Sequence, residues 1–581
     1  MSAILATGLL AAAVAAPAPA PVADLVLLNG RLLTMDAADR RVEALAVKDG
    51  RIVALGRSRA LRALIGRGTE VIDLHGRTAT PGLIDSHAHI ADGGVMALTQ
   101  LDLSDAGSIA EIRRRVAARA ATLAAGAWLV GGGWDEGKLQ EGRYPRAADL
   151  DSVSPNNPVW LLHTTGHYGV ANSAALTRAG VTAGSADPPA GTIDRDSAGA
   201  PTGVLKESAQ ELVTTLIPPP TMKERRDGIR ASLELMHREG MTAVKDPDID
   251  APTWEAYAAL AATGELSAHV CVLWHGGTTL ASAQAALAQI ESLPRPPATV
   301  NGANLMSCGV KLYLDGSGGA RTAWMYADWN RARTDTDTGN RGYPAIEPDV
   351  YRAQVRLLTA AGVHIGTHVV GDRAIDWAID SYAQALAATG QHGLRHSLIH
   401  ANTPSDHALE LIATLERDYD AGYPEVQPPF AWWLGDNYAG NLGVERSQRL
   451  LPLHSFEVRG IRWASGSDYF VTPLPARYGL WAAAERATLH GRYGRQPFGL
   501  AEAVGARTAL RSYTVWAAHQ LFLDAEAGTL EPGKSADLAV WDRDPTAVRA
   551  AALKTLKCQL TLFRGRVVYR SPGLRLSARA S

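Results

Sequence analysis

The sequence predicts an α/β fold: a (β/α)8 TIM-like barrel with an insertion after its first strand, joined to a small composite β-sandwich built from both termini. Three observations predict it. Eight short apolar runs alternate with Ala-rich helical stretches between Leu83 and about Asp468. Both ends of the chain repeat a strand, turn, strand pattern. The eight units occupy about 390 residues, more than the roughly 250 that such a barrel needs, and most of that surplus lies between the first and second runs.

Taken in order, Ile4 to Ala16 form an uncharged apolar run that is too short to span a bilayer, and Ala13-Val14-Ala15 has the small-x-small form of a cleavage site. Residues 1–23 are therefore expected to be a secretory signal, giving a periplasmic or secreted protein. The alternative is an Ala/Pro tail on a cytoplasmic one, because no Lys or Arg precedes Arg31. Residues 24–80 carry "DLVLLNGRLLTMD" and "VEALAVKDGRIVALG", apolar runs broken by Asn-Gly and Asp-Gly turns, the mark of short antiparallel strands. Residues 525–581 repeat the pattern in "GTLEPGKSADLAVWDRDP" and "QLTLFRGRVVYR", so the two ends are expected to meet in one sandwich domain.

The barrel is expected over residues 81–524, with strands in "LIDSHAHI", "MTAVKD", "AHVCVLW", "GVKLYLD", "VHIGTHV", "HSLIHA", "YPEVQP" and "IRWASGSD". The insertion spans about 98–220, with a helix in "IAEIRRRVAARAATLAAG" and a further strand in "PVWLLHTTGH".

Composition excludes several classes. With 57 Lys and Arg against 59 Asp and Glu, the net charge of -2 offers no field for nucleic acid or an anionic membrane. No other segment reaches the about 20 apolar residues of a membrane span. The expected partner is a small-molecule substrate, and a homo-oligomer stays open. Cys271, Cys308 and Cys558 are too few and too scattered for a disulfide framework or a CxxC metal site.

In the first run, His87 and His89 lie two residues apart. On a strand they face one way at about 6.6 Å, close enough to converge on one ion. Alone, an HxH is weak. The other candidates strengthen it: His368, His400 and Asp468 end the fifth, sixth and eighth runs, and Lys311 stands in the fourth. C-terminal strand ends form the face on which these barrels build active sites, so these residues would converge on one mouth. Imidazoles and a carboxylate suit zinc or a similar divalent ion.

Together "PGLIDSHAHI", "GVKLYLDGSGGARTA", "HVVGDRAID", "RHSLIHAN", "ASGSDYFVTPL" and "GTLEPGKSADLAVWD" resemble the metal-dependent amidohydrolase superfamily, most closely its YtcJ-like (amidohydrolase family 3) branch, from about Asp24 to Arg570. The resemblance implies hydrolysis of a C–N bond other than a peptide bond, in an amide, N-substituted formamide, N-acyl compound or cyclic amide. It matches His87, His89, Lys311 as a bridging carbamate, His368, His400 and Asp468 to the ligands of one or two divalent ions, zinc by donor type, with Asp468 as acid/base. Ile399 stands where relatives often carry glutamate. A cation beside a metal would repel it, so the alternative to a carbamate is a substrate-binding Lys311 with Glu207 as carboxylate. Ester hydrolysis and a non-catalytic binding protein are the competing readings.

Secondary candidates follow. The insertion motif "TTGHYGVANSAAL" offers His167 and Asn172 to the substrate, or else only to loop hydrogen bonds. Arg321 ends "DGSGGAR", which lacks the GK[ST] of a phosphate loop and is expected to be a tight turn at the barrel mouth that offers Arg321 to the substrate. Trp134, Trp432 and Trp433 would wall an apolar pocket or pack in a core.

Overall fold

The computed structural model describes residues 22–296, 298–299, 304–329, 339–491, 499–572 and 574. The expected signal segment lies outside them, apart from its last two residues. All eight predicted runs form one parallel sheet: β1 (Leu83–Asp85), β2 (Met241–Ile249), β3 (His269–His275), β4 (Leu305–Tyr313), β5 (His364–Val369), β6 (Ser397–His400), β7 (Tyr423–Val426) and β8 (Ala464–Ser465). Neighbours in sequence are neighbours in space. The ring is nearly closed by the Ser86 amide, which donates to Ser465 O at 3.1 Å. These strands are buried along almost their whole length, which is why they read as continuous apolar runs and not as alternation. Their register sets Tyr313 beside His368 and Val369 beside His400, so the strand ends come level at one mouth.

Helices return the chain between strands. Met222–Arg238 starts at a capping box of Thr221 and Glu224, which satisfies two amides of its first turn. It crosses the helix Ile90–Thr99 at two glycines: a Cβ on Gly94 would lie 2.0 Å from Gly228 O, so only glycine admits this approach.

The insertion is a six-stranded mixed sheet ordered Gly191–Arg195, Pro201–Glu207, Tyr168–Ala171, Val159–His163, Leu129–Trp134, Leu101–Asp102. It packs its own core around Ile112, Leu129, Leu161 and Val170.

The termini do join. One six-stranded sheet joins Arg41–Val42, Arg31–Leu33 and Thr78–Pro81 edge to edge with Leu538–Trp541, Cys558–Phe563 and Arg566–Arg570, and a four-stranded sheet holds Leu25–Leu28, Ala44–Lys48, Arg51–Gly56 and Glu70–Asp73. Leu27, Leu45, Ile72, Leu538 and Leu560 fill the space between them. Thr78–Pro81 runs through Gly82 straight into β1, so the sandwich anchors the strand that leads to the two histidines.

One expectation needs correction. Cys271 and Cys308 form a disulfide with Cα atoms 5.6 Å apart. They are 37 residues apart in sequence, and only the pairing of β3 with β4 brings them together. Among the described residues no helix is long and apolar enough to cross a membrane.

Candidate metal centre

The two histidines leave β1 on one side of the mouth, their rings 5.4 Å apart and edge to face. Each Nε2 lies 3.4 Å from Oδ1 of Asp468, which follows β8. The Asp468 amide donates to His87 O at 2.7 Å and fixes the carboxylate's approach. Ligand atoms of the three residues all lie within 4.8 Å of one another. Lys311 Nζ stands 3.2 Å from His87 Nε2. The ring of His400 is 5.6 Å from that of His87 and 4.5 Å from that of His368. His368 Nε2 donates to Gly316 O at 3.0 Å, which leaves Nδ1 as that ring's free lone pair. His89 is 15% exposed and is the member that meets the mouth, while the other five are sealed.

The histidines are held by buried residues that sequence reading missed. Glu425 Oε1 lies 2.9 Å from His87 Nδ1, and its other oxygen accepts from Lys245. A carboxylate there puts the ring proton on Nδ1 and leaves the Nε2 lone pair facing Asp468. Gln427 repeats the arrangement. Its Nε2 donates to Glu425 O at 3.1 Å, so its Oε1 accepts from His400 Nδ1 at 2.7 Å and the His400 Nε2 lone pair stays free. Asp85 accepts from the His87 and Ser467 amides and from the Ser467 hydroxyl, tying the end of β1 to the turn that carries Asp468.

Electrostatics match that arrangement. Burial pushes His87 below its ordinary value and His400 down to about 3, so both imidazoles are neutral at pH 7. Burial would raise Asp468, but its contacts with His87 and His89 outweigh it and hold the carboxyl well below the usual range, and Asp468 in turn raises His89 against its own burial. Burial draws the Lys311 ammonium down to about 8. The neutral imidazoles of His87, His368 and His400, with His89 beside an ionised Asp468, form a donor set that fits a divalent ion of the zinc type.

The secondary candidates divide. His167 reaches the mouth: its ring is 4.8 Å from that of His368, and Nδ1 lies 2.9 Å from Glu207 Oε2. Glu207 is occupied by that contact and by the Thr322 hydroxyl. Asn172 is corrected to a structural role. Its Oδ1 accepts from the Ala175 and Val159 amides, capping the helix Ser173–Ala179, and its Nδ2 donates to Ser154 O and Asn157 O. Trp134 is likewise core and not pocket wall: it is fully buried, donates to Leu161 O at 2.8 Å and packs on Tyr144, His163 and Tyr168. Arg321 lies buried in the turn after β4 at φ 59°. Trp432 packs against Trp481, while Trp433 does line a cleft.

A second group, Asp135, Glu136 and His163, lies in the insertion. Its donor set does not fit an ion. The Thr165 amide donates to His163 Nδ1 at 3.1 Å, which places the neutral ring's proton on Nε2 and leaves no lone pair facing the carboxylates.

Known proteins share this architecture. The putative amidohydrolase YtcJ of Bacillus subtilis (strain 168) is 28% identical over 547 residues, covering 93% of this chain and 98% of that protein. The N-substituted formamide deformylase of Arthrobacter pascens is 29% identical over 572 residues, covering 95% and 99%. The crystal structure of a metal-dependent hydrolase from Pyrococcus horikoshii OT3 superposes with a TM-score of 0.68 at 25% identity, covering 91% of this chain and 99% of that one. A family model described as amidohydrolase matches residues 70–569, which contain every residue of the cluster at the barrel mouth, and the chain belongs to the amidohydrolase family.

Proposed function

We propose that the protein hydrolyses a C–N bond other than a peptide bond in a small molecule, at a divalent metal centre held by His87, His89, His368, His400 and Asp468. The observation that carries this reading is the convergence of the Nε2 atoms of His87 and His89 on one oxygen of Asp468. A divalent ion, zinc by donor type, supplies a water of pKa about 7 and polarisation of the scissile carbonyl.

This chain's own residues do the rest. Asp468, kept ionised by His87 and His89, accepts the proton of the attacking water and passes it to the leaving nitrogen, which is too basic to depart unprotonated. His167, oriented by Glu207, presents Nε2 to the substrate beside His368. Lys311, fully buried against His87, serves as a carbamate formed by its neutral amine and carbon dioxide, since an ammonium there would oppose a cation. His368 joins by its free Nδ1. The relative that deformylates N-substituted formamides supports that substrate class here.

Export is part of this reading. The apolar run from Ile4 to Ala16 and the Cys271–Cys308 disulfide both suit an oxidising compartment.

The test is elemental analysis of chelator-free protein, together with hydrolysis of N-formyl amines, N-acyl amino acids, cyclic imides and aryl esters. One or two divalent ions per chain and turnover of a C–N substrate are expected. Full activity in a strong chelator, or turnover of esters alone, overturns the reading.

A further inference from the structure

The strand that carries Lys311 holds one residue more than its neighbour. β4 pairs with β3 in parallel, Met306 beside Cys271 and Ser307 beside Val272, but the next pair is Gly309 with Leu273, so Cys308 is an extra residue in β4. On the other flank β5 joins β4 only from Gly309, opposite His364. Cys308 therefore has no register partner on either side. The residue after it is glycine for a steric reason: a Cβ on Gly309 would lie 2.1 Å from His364 O.

The extra residue decides which way Lys311 points. Side chains alternate along a strand, and one inserted residue reverses the phase of everything beyond it. Before the bulge, Met306 packs in the barrel floor with Ile84, Ala243, Cys271 and Ala464, contributed by four other strands, and Cys308 belongs to the same group. Unbroken alternation from Met306 and Cys308 would turn Val310 and Leu312 inward and Lys311 out. Val310 and Leu312 instead share a core with Tyr351 and Val355 of the outer helix Pro348–Ala360, and Lys311 Nζ reaches to 3.2 Å from His87 Nε2.

Geometry ties this bulge to the disulfide. In an unbulged pair Cys308 would stand two residues beyond Met306, the partner of Cys271, and strand spacings of about 4.8 Å across and 6.6 Å along would set the two cysteine Cα atoms about 8 Å apart. A bridge does not close beyond about 7 Å without backbone movement. The bulge draws Cys308 back, and the Cα atoms lie 5.6 Å apart. Bridge and regular register therefore exclude each other. We propose that the Cys271–Cys308 disulfide is a positioning element of the metal centre: it locks the extra residue into β4 and so keeps Lys311 turned to the mouth. The inference rests on the reading above, in which Lys311 helps to hold the ion.

Two measurements on the full chain test it, each comparing the bridged protein with a dithiol form. Both half-cystines are buried, so that form is made by refolding under reductant. Zinc affinity, read by competition with a chelator, should fall about 10–100-fold in the dithiol form. In a Lys311→Ala background, loss of the bridge should change it by less than about twofold, because the bridge acts through Lys311. An equal loss in both backgrounds, or none in either, overturns the proposal. Hydrogen exchange at the amides of Gly309, Val310 and Lys311 should be about tenfold faster in the dithiol form, with β6 and β7 unchanged. Uniform acceleration of the barrel, or no change at these amides, also overturns it. Cys271→Ala combined with Cys308→Ala should reproduce both results and replaces the dithiol form should that not refold. Failure of both to fold would make the bridge a requirement of the whole barrel and overturn its local role. Should Lys311→Ala hold zinc as tightly as the parent, the ligand reading of Lys311 fails, and hydrogen exchange alone decides whether the bridge holds the bulge.

Discussion

Glu425 and His87 meet at 2.9 Å with both side chains fully buried, and the other oxygen of Glu425 accepts from an equally buried Lys245. One carboxylate thus orients a candidate ligand and neutralises a lysine inside the barrel. Removing a partner of this kind weakens metal binding by about 10–100-fold. Glu425→Gln should therefore lower metal occupancy in a competition with a chelator while the fold survives. Glu425→Ala should do more, because an unpaired buried Lys245 costs about 3–5 kcal/mol, read as a loss of stability in urea. Unchanged metal affinity in both variants would remove Glu425 from the support of His87.

Asp468→Asn keeps an oxygen acceptor near His87 and His89 but cannot carry the proton. The expected result is a fall in kcat of about 10²–10⁴-fold. A KM change with kcat intact would show that Asp468 binds and does not transfer the proton.

Lys311→Ala should lose most of its metal and activity, and a short carboxylic acid in excess should restore part of both by standing in for the carbamate. Glu207→Gln, by contrast, should keep its metal, because Glu207 is engaged by His167 and Thr322. The opposite pattern in metal analysis would transfer the carboxylate role to Glu207.

The eight strands were legible because strands buried on both faces leave unbroken apolar runs, and His87, His89, His368, His400 and Asp468 because they interrupt those runs at their ends. Glu425, Lys245 and Gln427 interrupt the same runs but have no spacing relation to one another, so only the closed barrel shows that they meet. Asn172 was drawn to the substrate by a motif rich in loop residues. A helix cap and a substrate loop use the same side chains, and the local sequence does not distinguish them. The disulfide depends on strand register, which sequence separation does not encode.

Away from the mouth, Asp420 accepts from Tyr423 and lies 2.7 Å from His519 Nε2. Burial opposes its ionisation, but the bonds from His519 and Tyr423 prevail and hold it at about 2, while Asp420 in turn raises His519 against its own burial. The depressed carboxyl stabilises the fold above its unfolded value near 3.8, a contribution lost as pH falls toward 2. The raised imidazole stabilises it below its unfolded value near 6.5, a contribution lost as pH rises through the folded one. Asp420→Asn tolerates the left-handed backbone at φ 51°. Its urea midpoint should fall furthest behind the parent's between about pH 4 and 6.5, and the gap should narrow at pH 3 and at pH 8.5. A gap constant across that range would mean that the pair contributes no charge-dependent stability.

Export is checked at the N-terminus and at the thiols. Protein from its native host should begin near Ala16, and alkylation of the unreduced, denatured chain should label Cys558 and leave Cys271 and Cys308 unmodified. An intact Met1 or Ser2 with three labelled cysteines would place the protein in a reducing compartment.

The sheet that joins both termini has a consequence for synthesis. Thr78–Pro81 pairs with Leu538–Trp541, so a strand made early in translation waits for a partner made near the end. At about 5–20 residues per second, that wait lasts on the order of half a minute to a minute and a half. Throughout it the edge of Thr78–Pro81 and the start of β1 behind it stand open to pairing with other chains. The ribosome-bound protein is for that time a client for holding factors, and the last forty residues act as the latch that ends the dependence.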